Sequence, residues 1–336
     1  MKKKFNIALS FEVGDLFLRE IKKRKFYKNF NFKLIKKDLS NFENSLLDSE
    51  VFVTKYLDIP LKFYPKLKKM KLIQTIIADY SKINLKNAKE FSVKVTNNEG
   101  ANSSSVAEHI IMFMIILYRN FVEQYSDLKK GKWNNLKDFN LELEGKTLGI
   151  LGMGHIGMKL ASRANAFGMK VIYYDTLKKN RNIEKKFNIK FYDKKKLIKL
   201  SDFLSINVSE RTENKDLINY KTFNLMKKNS IIINTSRGSV LNEYDLIKAI
   251  HKKKIAGAAL DVFKNEPLTK KSKILKYKNI IVTPHCGPSK ESYFRRCDVA
   301  LKNINKIIKN QKIIGLKWLI YILMVLEELE DQYSRL

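Results

Sequence analysis

The chain has 336 residues and a mass of 39.3 kDa, enough for about two domains of roughly 100–200 residues and for a sizeable hydrophobic core. At 44% hydrophobic and 30% charged residues, it excludes both a disordered chain and a bundle of membrane helices. A formal charge of +32 would ordinarily suggest nucleic acid, but 56 of the 66 basic residues are Lys and only 10 are Arg. Base and phosphate recognition favours the bidentate Arg fork. The lysines are also spread along the whole chain. A solvated basic exterior is therefore expected, with no nucleic-acid partner.

In chain order, Phe5–Leu9, Phe32–Ile35, Val51–Val53, Leu72–Ile77 and Val93–Val95 read as strands, separated by helical stretches at Leu16–Phe26, Leu61–Met70 and Asn84–Glu90. Strand–helix alternation of this kind makes a parallel sheet. Near Gly100 the pattern changes to a helix start, with Asn102, Ser103 or Ser104 able to cap the apolar run Val106–Leu117. A second alternating unit follows. Its strands are Thr147–Leu151, Val171–Tyr174, Lys190–Tyr192, Phe203–Val208, Ile231–Asn234, Gly257–Asp261 and Ile280–Val282, with helices such as Ile156–Phe167 and Tyr244–Lys253 between them. A last helix, Glu291–Ile308, is expected to return to the first domain. The expected fold is α/β, with two Rossmann-like doubly wound parallel-sheet domains. Residues 1–100 plus 289–336 form a discontinuous substrate domain, and residues 101–288 a dinucleotide-binding domain.

Cys286 and Cys297 cannot build a disulfide framework, and no small-residue cleavage site follows an apolar N-terminal run. A cytoplasmic location is expected. The late run Trp318–Leu326 is nine residues, about half of what a bilayer-spanning helix needs, so it reads as a packing helix and no membrane is expected.

The chemistry begins at Gly152-Met-Gly154-His155-Ile156-Gly157, where a strand runs into G-x-G-x-x-G and then an amphipathic helix. In this pattern Gly152 makes the tight turn, Gly154 lets the backbone approach a pyrophosphate, and Gly157 allows close helix–strand packing. Asp175 follows Gly157 by 18 residues, close to the roughly 20 expected of a carboxylate that accepts the ribose hydroxyls. That favours NAD. Lys178 and Lys179 just beyond could accept the extra phosphate of NADP. A cluster of turn glycines without a ligand is the ordinary alternative, and the strand, the helix and Asp175 together argue against it.

Three further residues lie at or after the ends of late strands, where open parallel sheets place ligands. Arg237, after the strand ending at Asn234, can hold a carboxylate bidentately, though a structural ion pair would use the same guanidinium. Glu266 lies in Asp261-Val-Phe-Lys-Asn-Glu-Pro267; alone it would pass for a solvated loop carboxylate. His285 sits in a tight Thr283-Pro-His-Cys-Gly-Pro288 loop. Its imidazole can exchange a proton near neutral pH, and a neighbouring Glu266 would fix its tautomer and support the imidazolium. His109, His155 and His251 show no ligand spacing, so no metal site is expected. Cys286 reads as a small neutral filler, and the Met112, Phe113 and Met114 cluster as core or interface.

With these blocks in hand, the chain resembles the D-isomer-specific 2-hydroxyacid dehydrogenases, including the phosphoglycerate dehydrogenases and glyoxylate/hydroxypyruvate reductases. The likeness spans about residues 45–310. It rests on Gly100-Ala-Asn-Ser-Ser-Ser-Val-Ala-Glu-His109, the loop 152–157 with Asp175, Asn234-Thr-Ser-Arg237-Gly238, Ala259-Leu-Asp261-Val-Phe with Glu266-Pro267, and Thr283-Pro-His285. The resemblance implies that Arg237 binds the substrate carboxylate, that His285 is the acid/base, and that Glu266 pairs with it. It also implies that Asp261 contacts the nicotinamide end, with His155 and Ile156 at the pyrophosphate. Val208, Thr235, Ser236, Arg237, His285 and Gly287 complete the expected cofactor contacts. Ile77, Ala78 and Asp79 join Arg237 and His285 at the substrate, and a homodimer is built around the dinucleotide domains.

The expected activity is NAD-dependent hydride transfer at C2 of a small D-2-hydroxy or 2-keto acid, such as phosphoglycerate, glyoxylate or hydroxypyruvate. The alternative is an NAD(H)-sensing binding protein without turnover. Three departures from the family stand out. Thr75-Ile-Ile-Ala-Asp79 replaces a glycine-containing substrate loop, so either that loop is altered or it does not need its glycines. Ser209 stands where proline is usual. The tail Gly315–Leu336 does not match the usual short ending and is too short for an appended regulatory domain.

Overall fold

The computed structural model describes residues 4–23, 28–133, 140–210, 212–311, 313, 316 and 317. The chain divides into two compact units, Met1–Asn102 with Lys290–Leu336, and Ser103–Ser289.

Unit 1 begins with β1 (Phe5–Leu9), α1 (Gly14–Lys22), β2 (Phe30–Leu34), α2 (Phe42–Leu47), β3 (Val51–Thr54), β4 (Leu72–Thr75), α3 (Leu85–Glu90) and β5 (Lys94–Thr96). All pairings are parallel, in the order β2-β1-β3-β4-β5. Side chains alternate across the pleat. Ile7, Leu9, Val51, Val53 and Leu72 enter one core, while Ala8, Phe52 and Ile73 enter the other. Both faces are therefore covered, which is why these strands read as unbroken apolar runs. The helix expected at Leu61–Met70 is instead a short 3₁₀ helix, Leu61–Lys66, with Pro65 inside it. Proline has no N–H to donate and its ring clashes with the preceding turn, so an α-helix cannot run through that position. The strand expected to reach Ile77 ends at Thr75, because the next three carbonyls bond to side chains and backbone outside the ladder.

Unit 2 contains α4 (Ser103–Tyr118), α5 (Phe121–Lys129), β6 (Thr147–Leu151), α6 (His155–Ala166), β7 (Lys170–Tyr174), α7 (Arg181–Lys186), β8 (Ile189–Phe191), α8 (Lys194–Leu200), β9 (Phe203–Ile206), α9 (Tyr220–Leu225), β10 (Ile231–Asn234), α10 (Glu243–His251), β11 (Gly257–Leu260) and β12 (Ile280–Val282). The seven strands are parallel in the order β12-β11-β10-β9-β6-β7-β8, so direction reverses between β6 and β9. Leu148, Ile150, Phe203, Ile231 and Ile233 point toward α4 and α6, and Leu204, Ile206 and Ile232 toward the opposite layer with Leu246 and Ala249 of α10. The chain then leaves unit 2 for α11 (Lys290–Ile308), whose Cys297, Ala300, Leu301, Ile304 and Ile307 share a core with Ile7, Leu9 and Val51 of unit 1. Leu316 bridges Thr96 antiparallel, at the β5 edge.

Among the described residues no single helix is long and apolar enough to cross a membrane. The run Trp318–Leu326 lies outside the described residues, as does most of the tail 315–336.

Candidate active site

The glycine loop lies at the carboxyl end of β6, beside the point where strand order reverses, which is where open sheets bind ligands. Gly152 has φ +96°, and a Cβ there would stand 2.7 Å from the Asn207 carbonyl oxygen. A Cβ on Gly157 would stand 2.6 Å from the Gly152 carbonyl oxygen. At Gly154 the space is open, with nothing within 4 Å. So two glycines are required by packing, and the third leaves room in front of the start of α6, where no side chain caps the helix. Ile156 packs its side chain against the core and can offer a ligand only its main chain.

Asp175, just past β7, accepts from the Met153 amide at 2.7 Å with Oδ2. Its Oδ1 has only long contacts, at 3.3 Å from Thr176 Oγ1 and 3.4 Å from the Leu177 amide, and so retains accepting capacity. Thr235 Oγ1 and Asn207 Oδ1 are buried with no hydrogen-bond partner. Buried polar atoms are normally paired, and these two flank the β9 and β10 ends. Together with the open cradle at Gly154, they fit a dinucleotide. Val208 is half-buried and lies across from Gly152.

Arg237, Glu266 and His285 all belong to unit 2. Glu266 Oε2 is 2.7 Å from His285 Nδ1, and Glu266 Oε1 accepts from the Phe263 amide at 3.0 Å. An ionised carboxylate only accepts, so Nδ1 carries the hydrogen and Nε2 is left for a reaction partner. His285 itself has φ +52°, a left-handed conformation uncommon for a residue with a Cβ. Arg237 follows β10, where Asn234 organises the turn: its Oδ1 accepts from the Ser236 amide and hydroxyl, and its Nδ2 donates to the Arg237 carbonyl. The guanidinium donates to the Ser236 carbonyl at 2.8 Å and lies 3.9 Å from Glu210. Gly238 explains why the Arg237 loop and the Glu266 loop run together. A Cβ there would fall 1.9 Å from the Phe263 carbonyl carbon.

Asp261 is 2% exposed. Its Oδ1 accepts from Thr283 Oγ1 at 2.5 Å and from the Cys286 amide at 2.8 Å, and its Oδ2 from the Gly287 amide at 2.9 Å. Burial pushes this carboxyl up, but hydrogen bonds from His109, Thr283, Cys286 and Gly287 outweigh burial and hold it below the usual carboxylate range. His109 of α4 reaches Thr283 Oγ1 at 3.0 Å. The chain His109–Thr283–Asp261 thus clamps the loop carrying His285. In the sequence His109 carries one signal, its place at the end of the Gly100–His109 block. The same network brings His109 Nε2, Asp261 Oδ1 and Cys286 Sγ within 4.8 Å of one another, an encounter that sequence spacing did not foretell. Hydrogen bonds already join His109 and Asp261 through Thr283. Burial and the Asp261 charge push the Cys286 thiol up, away from the thiolate a nucleophile needs.

Ile77, Ala78 and Asp79 belong to unit 1, just past β4. None of residues 75–79 has a positive φ, so the loop has no need of glycine. Thr75 Oγ1 and the Asn98 amide donate to the Ile77 carbonyl, Asn98 Nδ2 to that of Ile76, and Asn97 Nδ2 to that of Ala78. Asp79 Oδ1 accepts from the Ser81 amide.

Residues 111–287 match the family described as D-isomer specific 2-hydroxyacid dehydrogenase, NAD binding domain. A glyoxylate reductase of Thermococcus litoralis is 35% identical over 251 residues, covering 72% of this chain and 75% of that protein. A hydroxypyruvate reductase of Thermotoga maritima is 36% identical over 244 residues, covering 72% and 78%. Among solved structures, a glyoxylate reductase from Paecilomyes thermophila superposes with a TM-score of 0.80 at 26% identity, over 94% of this chain and 99% of that one. A D-lactate dehydrogenase with NAD+ from Lactobacillus jensenii shares the fold, with a TM-score of 0.80 at 24% identity over 92% and 99%. The chain therefore belongs to the D-isomer specific 2-hydroxyacid dehydrogenases, oxidoreductases that act on a CH–OH group with a nicotinamide cofactor.

Proposed function

We propose that this enzyme interconverts a small D-2-hydroxy acid and its 2-keto acid, with Arg237, Glu266 and His285 as its catalytic residues. The 2.7 Å contact between His285 and Glu266 is the observation that supports this reading most. When bound, the nicotinamide supplies or accepts the hydride. Arg237 holds the C1 carboxylate through paired N–H donors. In reduction, His285 Nε2 gives a proton to the C2 oxygen as negative charge develops there; in oxidation, neutral Nε2 takes the hydroxyl proton. Glu266 keeps Nδ1 protonated and balances the imidazolium charge.

Asp175 supports NAD over NADP, since its carboxylate would repel a 2′-phosphate at the ribose, while Lys178 and Lys179 are the residues that would favour NADP. Glyoxylate and hydroxypyruvate, the substrates that name the relatives above, are first choices for the keto acid. A second copy of the chain would cover α5, which has no buried residue and leaves Phe121, Val122, Tyr125 and Leu128 at 56%, 51%, 57% and 58% exposure. That supports a homodimer. Both cysteines are free thiols, as suits the cytoplasm.

The test is NADH and NADPH oxidation against a panel of 2-keto acids. His285→Gln and Arg237→Ala should each lower turnover by about a thousandfold, while NADH fluorescence titration still reports binding. Because reduction consumes one proton, the equilibrium should shift toward oxidation of the hydroxy acid as pH rises. Full activity in either variant would remove that residue from the mechanism.

A further inference from the structure

Three side chains able to ligate a metal ion meet beside the loop carrying His285, all of them within unit 2. His109 Nε2, Asp261 Oδ1 and Cys286 Sγ lie within 4.8 Å of one another. Each comes from a different part of the chain: His109 from α4, Asp261 from the residue after β11, and Cys286 from the loop after β12. The setting is not that of a chance cluster on the surface. The His109 and Asp261 side chains are 10% and 2% exposed, and the His109 ring packs edge-on against Phe113 with centroids 4.5 Å apart. Cys286 is exposed, which leaves a way in from solvent.

The spacing suits coordination. Two ligands held at about 2.0–2.2 Å by a tetrahedral ion stand about 3.4 Å apart, and His109 Nε2 is 3.5 Å from Asp261 Oδ1. Thr283 Oγ1 donates to Asp261 Oδ1 at 2.5 Å and meets His109 Nε2 at 3.0 Å; a cation among these atoms replaces the protons they share. Neutral imidazole can carry its hydrogen on Nδ1, which presents the Nε2 lone pair. The carboxylate is already anchored by the Gly287 amide on Oδ2 and the Cys286 amide on Oδ1, at 2.9 and 2.8 Å. Outer bonds of that kind orient a metal ligand. The donor set then selects the ion. Mg²⁺ and Ca²⁺ take oxygen ligands, whereas thiolate and imidazole together favour Zn²⁺. Three protein ligands leave the fourth tetrahedral position to water.

We propose that His109, Asp261 and Cys286 form a site for a thiophilic divalent cation, Zn²⁺ above all, and that its occupancy inhibits the enzyme. On binding, the Cys286 thiol gives its proton to solvent and the thiolate takes the ion; no electron is transferred. Coordination rearranges the Asp261 bonds that clamp the His285 loop, and Cys286 is next in the chain to the imidazole. The inhibition rests on the reaction proposed above, while the site itself does not.

The experiment titrates Co²⁺, a spectroscopic stand-in for Zn²⁺, into the intact, chelator-treated protein without cofactor. Binding should produce the visible bands of tetrahedral cobalt and an intense near-ultraviolet thiolate-to-cobalt charge-transfer band, and added Zn²⁺ should bleach both. Cys286→Ser should abolish the charge-transfer band, whereas Cys297→Ala, at the other cysteine, should keep it. His109→Gln should weaken cobalt binding by about tenfold or more. Thermal melting checks that each variant is folded, and Cys286→Ser, at an exposed position, decides the site if His109→Gln is not. In NADH-oxidation assays Zn²⁺ should inhibit the wild type, a chelator should restore it, and Cys286→Ser should need about tenfold or more Zn²⁺ for the same inhibition. Absence of the charge-transfer band, or its persistence in Cys286→Ser, overturns the site. A band with turnover untouched by Zn²⁺ overturns the inhibition alone. Failure to reduce any keto acid overturns the reaction proposed above, and the cobalt spectra still decide the site.

Discussion

Asp261 shows how a buried carboxylate can hold a loop in place. Taking a carboxylate out of water is expensive, and here the cost is offset by donors arriving from Thr283, Cys286 and Gly287, with His109 behind Thr283. The outcome is mechanical. Two of the donors are amides immediately after His285, so the carboxylate holds that residue's left-handed backbone in place. Because the Asp261 carboxyl is held below its usual range, the unfolded chain binds its proton more readily than the native one. Its contribution to stability is thus present above about pH 4, the range of an unperturbed carboxyl, and is lost as pH falls below that. Asp261→Asn should be less stable than the wild type at pH 7, and the gap between them should narrow on acidification. Urea melts of both proteins from pH 7 to pH 3 measure this. A gap that stays constant would mean that the pairing in the native state is not electrostatic.

At the level of elements, the strands were the most legible part of the sequence and the loops the least. Strand positions such as Ile231–Asn234 carry two-faced burial, which appears as a continuous apolar run whatever the loops do. Short helices such as α2, with six residues, give too few turns for a periodic signal. The pairing of Glu266 with His285 could be named from sequence only through the family's blocks, because nothing local encodes the approach of the loops after β11 and β12. What encodes the neighbouring approach is Gly238, whose missing Cβ admits the Phe263 backbone. The substrate loop is the opposite case. Its lack of glycine left two readings, an altered loop or one that needs no glycine, and the second fits: side-chain amides from the β5–α4 segment hold its carbonyls and no positive φ arises. Asn98→Ala would leave the Ile76 and Arg296 carbonyls without this donor, inside a buried network. Stability should fall by about 1–3 kcal/mol, and KM for the keto acid should rise more than kcat falls. Chemical denaturation together with steady-state kinetics tests both. A loss of stability with unchanged KM would separate this frame from substrate binding.

Across the whole molecule, the charge of +32 must be reconciled with an enzyme whose proposed substrate is a small anion. Surface lysines at this density do not create a specific site, but their summed field raises the local concentration of anions and the rate of encounter. Such a field is screened within about 8 Å at physiological ionic strength. Raising NaCl should lower kcat/KM for every anionic keto acid while leaving kcat nearly constant, because capture is slowed and the bound geometry is unchanged. A kcat/KM insensitive to salt would remove the exterior charge from the kinetics and leave solubility as its effect.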